Sequence, residues 1–229
     1  MIETPHTSRE FDEQLRAAHE LVLQLGARVE RQVVDAIESL GSGSLSLIDQ
    51  IVEHERAINA LEMEIDALCG QIIALRQPTA RDLRMLMAII KSTTHLERVG
   101  DEAKKIALCA RRLFSGGRPM LPRYVEIRRI SQVVLGMLRT SLIALERMDI
   151  EGLESVPSRD RDVDDAFRAV LRQLITYMIE DPRTISAALD IVFVAKALER
   201  IGDHAKNVAE QVIYAVEGTD VRHTTEETR

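Results

Sequence analysis

Apolar side chains recur at every third or fourth position through almost the whole chain, which is the spacing of one face of an α-helix. The pattern breaks only at short stretches rich in Gly, Ser and Pro, and no run of alternating β-branched residues supports a strand. The sequence therefore predicts an all-α fold. Its six helices are expected over residues 8–40, 44–76, 79–114, 123–149, 158–180 and 181–217.

Local signals mark the ends of these helices. Gly41-Ser42-Gly43 should end the first helix. Thr79 is placed to cap the third helix, with Asp82 at the N3 position. Before the sixth helix, Asp181 is a suitable N-cap and Pro182 suits the first helical position, where no N–H is needed.

A six-residue segment of the third helix returns in the sixth. Leu96-Glu97-Arg98-Val99-Gly100-Asp101 reappears as Leu198-Glu199-Arg200-Ile201-Gly202-Asp203, and Ala-Lys follows at the same offset in both copies. Such internal repetition indicates a duplicated structural unit. We expect two related three-helix bundles in tandem, over residues 8–115 and 120–217, joined by a Gly/Pro-rich segment and followed by a polar tail over 218–229.

Composition and charge narrow the classes of function. A net charge of -7 with 3% aromatic residues argues against a nucleic-acid surface, which usually needs a basic patch. No apolar run is long enough for membrane insertion, and the polar, acidic first residues do not read as a secretory signal. Cys69 and Cys109 fit two buried free thiols in a reducing compartment. A cytoplasmic location is therefore expected.

The repeated segment carries a pair of carboxylates on one helix face. Glu97 and Asp101 are four residues apart, as are Glu199 and Asp203, and each pair continues a row that is apolar in the preceding turns. Carboxylate oxygens suit Mg²⁺, Mn²⁺, Ca²⁺ or iron, so each pair is a candidate hard-cation site. Further oxygens could come from the neighbouring helices, through Glu55, Asn59, Asp160 and Asp164.

A second interpretation of the acids stays open. Arg98 and Arg200 could neutralise them in a purely structural ion-pair network. Gly100 and Gly202 indicate close helix–helix approach at the motif, since a mid-helix glycine costs about 1 kcal/mol relative to alanine.

Signatures of catalysis are missing from the sequence. There is no glycine-rich phosphate loop, HExxH or GxSxG segment. A carboxylate-bridged metalloenzyme would need Glu-x-x-His on two helices, and the sole match runs from Glu3 to His6, in a tail broken by proline. The sequence therefore does not predict an enzyme.

The duplicated motif resembles the signature of the PhoU family. Two other segments strengthen the resemblance, since residues 76–84 are similar to the family's RQPxAxDLR turn and residues 177–185 to the equivalent turn of its second half. The resemblance extends over roughly residues 11–216. It implies a PhoU-like fold of six helices.

The resemblance also implies a regulatory function. PhoU proteins are dimeric cytoplasmic proteins that hold the phosphate-starvation response off when phosphate is plentiful. They connect the Pst phosphate transporter, through its PstB-type ATPase subunit, to a PhoR-type sensor kinase. A carboxylate-bridged metalloenzyme and a purely structural helical scaffold are the competing hypotheses.

Some members of the family bind multinuclear iron, or other divalent metals such as Zn, Mn, Mg or Ni, on the repeated acidic motifs. Transferred to this sequence, that property points to Glu97, Asp101, Glu199 and Asp203 as ligands. Asn59 departs from the acidic pattern, since the equivalent position of the second repeat is Asp164. The secondary contributors are Glu55, Asn59, Asp160 and Asp164.

Overall fold

Helices make up nearly all of the chain that the computed structural model describes, which is residues 9–115 and 124–221. No strand occurs within these two ranges, so the predicted all-α class is confirmed. The α-helices are α1 (Arg9–Ser42), α2 (Leu45–Arg76), α3 (Ala80–Ser115), α4 (Tyr124–Arg147), α5 (Val156–Glu180) and α6 (Ile185–Glu217).

The observed helix ends differ from the predicted ones mainly in the second half. The helix α4 stops two residues before the predicted end, and Met148 follows it in the left-handed region at a φ of 48°. A 3₁₀ turn over Leu153–Ser155 leads into α5, which starts two residues early because Pro157 is tolerated in a first turn. Asp181 caps as predicted by accepting a hydrogen bond from Arg183 N (3.1 Å), but it caps a 3₁₀ turn that precedes α6.

Several sequence-based expectations lie outside the described residues. These are the helix starts expected at residues 8 and 123, the linker over 116–123, the Glu3 to His6 segment and the tail from residue 222 onward.

The six helices form a single body. Within the first half α2 packs on α1 and α3, and within the second half α5 packs on α4 and α6. The two halves meet through α1 against α4 and, most extensively, through α3 against α6. Four helices therefore lie inside, and α2 and α5 flank them on opposite sides.

The helices α3 and α6 run antiparallel across this contact. Near one end Arg112 Nε donates to Asp190 Oδ1 at 2.7 Å. Further along, His95 Nδ1 lies 3.4 Å from His204 Nδ1, so the residue numbers rise on one helix as they fall on the other. This arrangement places the two copies of the repeated motif opposite each other.

One apolar stripe on α3 and one on α6 are fully buried. They belong to one continuous core to which all six helices contribute, so each half covers apolar surface of the other. The division into units 8–115 and 120–217 stays a prediction from the repeat. The buried stripes are Leu96, Val99, Ala103 and Ile106 on α3, and Leu198, Ile201, Ala205 and Val208 on α6.

Close helix approach explains some glycines but not all. A Cβ at Gly26 would lie 2.5 Å from Leu142 Cδ2, so α1 and α4 approach closely there and a larger residue would have to displace the end of that leucine side chain. A Cβ at Gly100 would lie 3.3 Å from Ile58 Cδ1, which is tight. At Gly202 the nearest atom would be 3.7 Å away, an ordinary contact, so the interpretation of close approach is wrong at this position.

No helix within the two described ranges is both long enough and apolar enough to span a membrane.

Candidate functional site

Each half contains a cluster of four carboxylates between two neighbouring helices. Mutual electrostatic interactions link the members of each cluster. The first cluster consists of Glu55 and Glu62 on α2 with Glu97 and Asp101 on α3. The second cluster consists of Asp160 and Asp164 on α5 with Glu199 and Asp203 on α6.

The lysine of the repeated motif bridges two helices in both halves. Lys104 on α3 forms an ion pair with Glu55 on α2. At the equivalent position of the second half, Lys206 Nζ donates to Asp160 Oδ2 at 2.9 Å. Both acids are nearly buried, and a buried carboxylate needs such a partner. The lysines therefore join the outer helices α2 and α5 to the motif helices.

The two motif arginines behave differently. Arg98 stays within its own half, with Nε 3.5 Å from Glu97 Oε2 and Nη1 3.8 Å from Asp101 Oδ2. Arg200 instead reaches across to α3, where its Nη1 donates to Glu102 Oε1 at 3.2 Å. Arg98 therefore pairs with the acids of its own motif, as the ion-pair interpretation expects. Arg200 does not, because its ion pair with Glu102 joins the two halves.

Both clusters contain more negative charge than the neighbouring cations neutralise. Burial, followed by repulsion from Asp101, raises the pKa of Glu97. Burial, followed by repulsion from Glu199, raises the pKa of Asp203 to about 6. In each cluster four carboxylates face two paired cations, which are Arg98 and Lys104 in the first and Lys196 and Lys206 in the second.

The oxygen atoms of the clusters are chemically suitable ligands for a hard cation, but their arrangement in this structure is not that of a metal site. Besides the carboxylates, Asn59 Oδ1 is buried without a hydrogen-bond partner, and amide oxygens are ligands of such ions. However, no group of three or more His, Cys, Asp or Glu residues in the described ranges is arranged to hold a metal. Lys104 and Lys206 would have to release Glu55 and Asp160 for these two carboxylates to bind a metal. The assignment of metal ligands stays a prediction.

Two features of the site were not anticipated from the sequence. Glu62 lies two helical turns after Glu55 on the same face of α2, and this seven-residue spacing could have revealed it. His95 and His204 occupy unmatched positions of the repeat, yet their rings lie 5.6 Å apart across the contact between α3 and α6. Burial lowers the pKa of His204 and so favours its neutral form.

A comparison with family models matches this chain twice. The model described as the PhoU domain fits residues 22–110 and again residues 127–212. The chain belongs to the PhoU family. The two matches fall on the two halves of the six-helix body, so each contains one copy of the repeated motif and one carboxylate cluster.

Relatives in this family match over nearly the whole chain. The phosphate-specific transport system accessory protein PhoU homolog of Pseudomonas putida is 45% identical over 221 residues, which cover 96% of this chain and 86% of that protein. The crystal structure of PhoU from Pseudomonas aeruginosa superposes with a TM-score of 0.88 at 44% identity, covering 91% of this chain and 100% of that one.

A more distant crystal structure shows the same fold. The phosphate transport system regulatory protein PhoU from Streptococcus pneumoniae gives a TM-score of 0.83 at 25% identity, over 92% of this chain and 99% of that one. The expected PhoU-like arrangement of six helices is confirmed.

Proposed function

We propose that this PhoU-family chain is a regulatory accessory protein of phosphate transport. It holds the phosphate-starvation response off when phosphate is plentiful and modulates phosphate uptake. The observation that carries this proposal is the nearly full-length similarity to proteins named as accessory or regulatory proteins of phosphate transport. The proposal includes no catalytic step.

In this role the protein is a cytoplasmic homodimer that connects a PstB-type ATPase subunit of the Pst transporter with a PhoR-type sensor kinase. The single apolar core and the long helices support such a role, because a rigid body transmits a change at one face to another. The helices α1 and α3, with 34 and 36 residues, are each about 50 Å long. Surfaces of that length can contact two partners at once.

The two carboxylate clusters add a metal-dependent element to the proposal. Their unneutralised negative charge would be relieved by a divalent cation such as iron, Zn, Mn, Mg or Ni. The primary ligands would be Glu97 and Asp101 in one half and Glu199 and Asp203 in the other. Where Glu55 and Asp160 also contributed oxygens, the metal would displace Lys104 and Lys206 from them and so alter the contact of the outer helices α2 and α5 with the body.

Alkaline phosphatase activity in a strain lacking the gene tests the regulatory role. With abundant phosphate, the deletion strain should show high activity, and a plasmid-borne copy of the intact gene should restore repression. Activity that stays low in the deletion strain would refute the proposed negative regulation.

The adaptor role needs a direct binding measurement. The purified protein should bind the transporter ATPase subunit and the cytoplasmic part of the kinase in separate titrations, and light scattering should give the mass of a dimer. Binding to neither partner would contradict the adaptor role and leave a helical scaffold as the better explanation.

Metal analysis of purified variants tests the clusters. Replacing Glu97, Asp101, Glu199 and Asp203 with alanine should abolish metal content while leaving helicity intact. Retention of the metal in that variant would remove these residues as ligands. The matched control replaces four exposed glutamates outside the clusters, namely Glu20, Glu53, Glu64 and Glu154, and should keep the metal.

A further inference from the structure

A polar cleft of about 440 Å³ opens along the contact between α3 and α6, where the two copies of the motif face each other. Four cationic side chains line it, two from each helix, together with two carboxylates, one from each helix. The cations are Arg98, Lys105, Arg200 and Lys206, and the carboxylates belong to Glu102 and Asp203.

The antiparallel packing of the two halves creates this concentration of positive charge. Arg98 and Arg200 occupy equivalent positions of the repeated motif, 102 residues apart in the chain. Because the motifs lie opposite each other, both arginines line the same cleft instead of separate surfaces. The cleft lining thus brings four cations together with two acids, while Arg98 and Lys206 also pair with the cluster acids Glu97, Asp101 and Asp160 outside the lining.

The internal ion pairs leave part of this charge available. Lys105 Nζ and Arg200 Nη1 both bond to the same oxygen, Glu102 Oε1, at 2.8 and 3.2 Å, so two cations share one buried carboxylate. Arg98 lies 3.5 and 3.8 Å from its carboxylates, beyond the usual hydrogen-bond distance, and its side chain is 59% exposed. Arg98 therefore makes no short hydrogen bond that a ligand would have to break.

We propose that this cleft binds a small tetrahedral oxyanion, hydrogen phosphate. Guanidinium groups recognise such anions through paired N–H donors, and His204 and Asn207 add polar groups at the wall. The carboxylates of Glu102 and Asp203 favour hydrogen phosphate over sulfate. Hydrogen phosphate keeps an O–H that can donate to a carboxylate, whereas sulfate has no proton to donate at neutral pH. The inference concerns binding alone and does not require the regulatory role proposed above.

Isothermal titration of the full chain with inorganic phosphate tests this site. The buffer should hold no other polyvalent anion and little salt, because screening weakens exposed charge interactions. Parallel titrations with and without a chelator separate binding in the cleft from binding to a metal ion. We expect one phosphate per chain in both conditions, and at least about tenfold weaker binding of sulfate.

Substitutions in the cleft should weaken phosphate binding selectively. Arg98→Gln and Arg200→Gln should each reduce the affinity by about tenfold or more, the usual effect of removing one charged donor. Arg139→Gln is the matched control, because Arg139 also pairs across the halves (to Glu30 Oε1 at 2.6 Å) and is 54% exposed, against 51% for Arg200, but lies outside the cleft. This control should bind phosphate like the wild type.

Three results would overturn the inference. The first is the absence of saturable binding up to about 10 mM phosphate. The second is the same phosphate affinity in the two cleft variants and the control, and the third is the same affinity of the wild type for phosphate and sulfate. Arg98→Gln removes no pair between the halves, so the test stands even if Arg200→Gln impairs folding. Repression of alkaline phosphatase without phosphate binding would leave the proposed function intact and remove the cleft as a phosphate site.

Discussion

Replacing Gly202 with alanine should stabilise the protein, although this glycine lies inside the repeated motif. The nearest atom to an added Cβ would be Met137 Cε at 3.7 Å, so the methyl group fits into a buried space without displacing a neighbour. Alanine is about 1 kcal/mol more favourable than glycine inside a helix, and burying one methyl group adds about 0.8 kcal/mol. The free energy of unfolding should therefore rise by about 1–2 kcal/mol.

Alanine substitutions at two other glycines distinguish the effect of helix propensity from the effect of packing. Gly70 is exposed on α2 with no atom within 4 Å of an added Cβ, so Gly70→Ala should show the helix-propensity gain of about 1 kcal/mol alone. At Gly100 an added Cβ would lie 3.3 Å from Ile58 Cδ1. Overpacking costs typically about 1–3 kcal/mol, so Gly100→Ala should be no more stable than the wild type.

Thermal unfolding followed by far-ultraviolet circular dichroism is the suitable assay, with a chelator present so that metal binding does not contribute. For a chain of this length about 1 kcal/mol corresponds to about 2–4 °C, so Gly202→Ala should raise the Tm by about 2–8 °C. A lower Tm for Gly202→Ala, or a rise for Gly100→Ala as large as that for Gly202→Ala, would refute the reasoning from contact distances.

Three further predictions concern ionisable groups. Burial and neighbouring carboxylates raise the pKa of Asp203 to about 6, so the metal-free protein should lose stability as the pH rises from about 4 through about 6. Asp203→Asn should flatten that part of a plot of Tm against pH. Lys206→Met should lower the free energy of unfolding in urea by about 1–3 kcal/mol because buried Asp160 loses its partner, and adding Asp160→Asn should recover part of the loss. Burial raises the pKa of Cys69 to about 12 and also raises that of Cys109, so neither thiol should react with an aromatic disulfide at about pH 8 until denaturant is added; reaction of the native protein would contradict their burial.

The helices could be predicted because the signals that specify them are local. Leu96 and Val99 already mark the buried side of α3 by their spacing, and the Asp181-Pro182 pair already marks the approach to α6. The 3₁₀ turns before α5 and α6 could not be distinguished from helix starts, because the same capping and proline signals suit both.

The candidate site was predictable along each helix but not between helices. The four-residue spacing put Glu97 and Asp101 on one face of α3. The pairing of Lys104 with Glu55 depends on how α2 is rotated about its axis, for which a single sequence holds no local signal. The shared cleft of Arg98 and Arg200 likewise depends on the antiparallel packing of α3 and α6, which only the assembled fold reveals.

Because both repeats belong to one polypeptide, the two walls of the cleft can have different residues at equivalent positions, which a symmetric dimer does not allow. Glu102 and His204 occupy equivalent positions of the two repeats, and both line the cleft. In a dimer of identical single repeats, symmetry would place the same residue on both walls, either two acids or two imidazoles. Fusion of the two repeats removes that restriction. The sequence of one wall can then change while Arg98 and Arg200 are kept at their equivalent positions. Selection can then adjust the two sides of a central cavity independently.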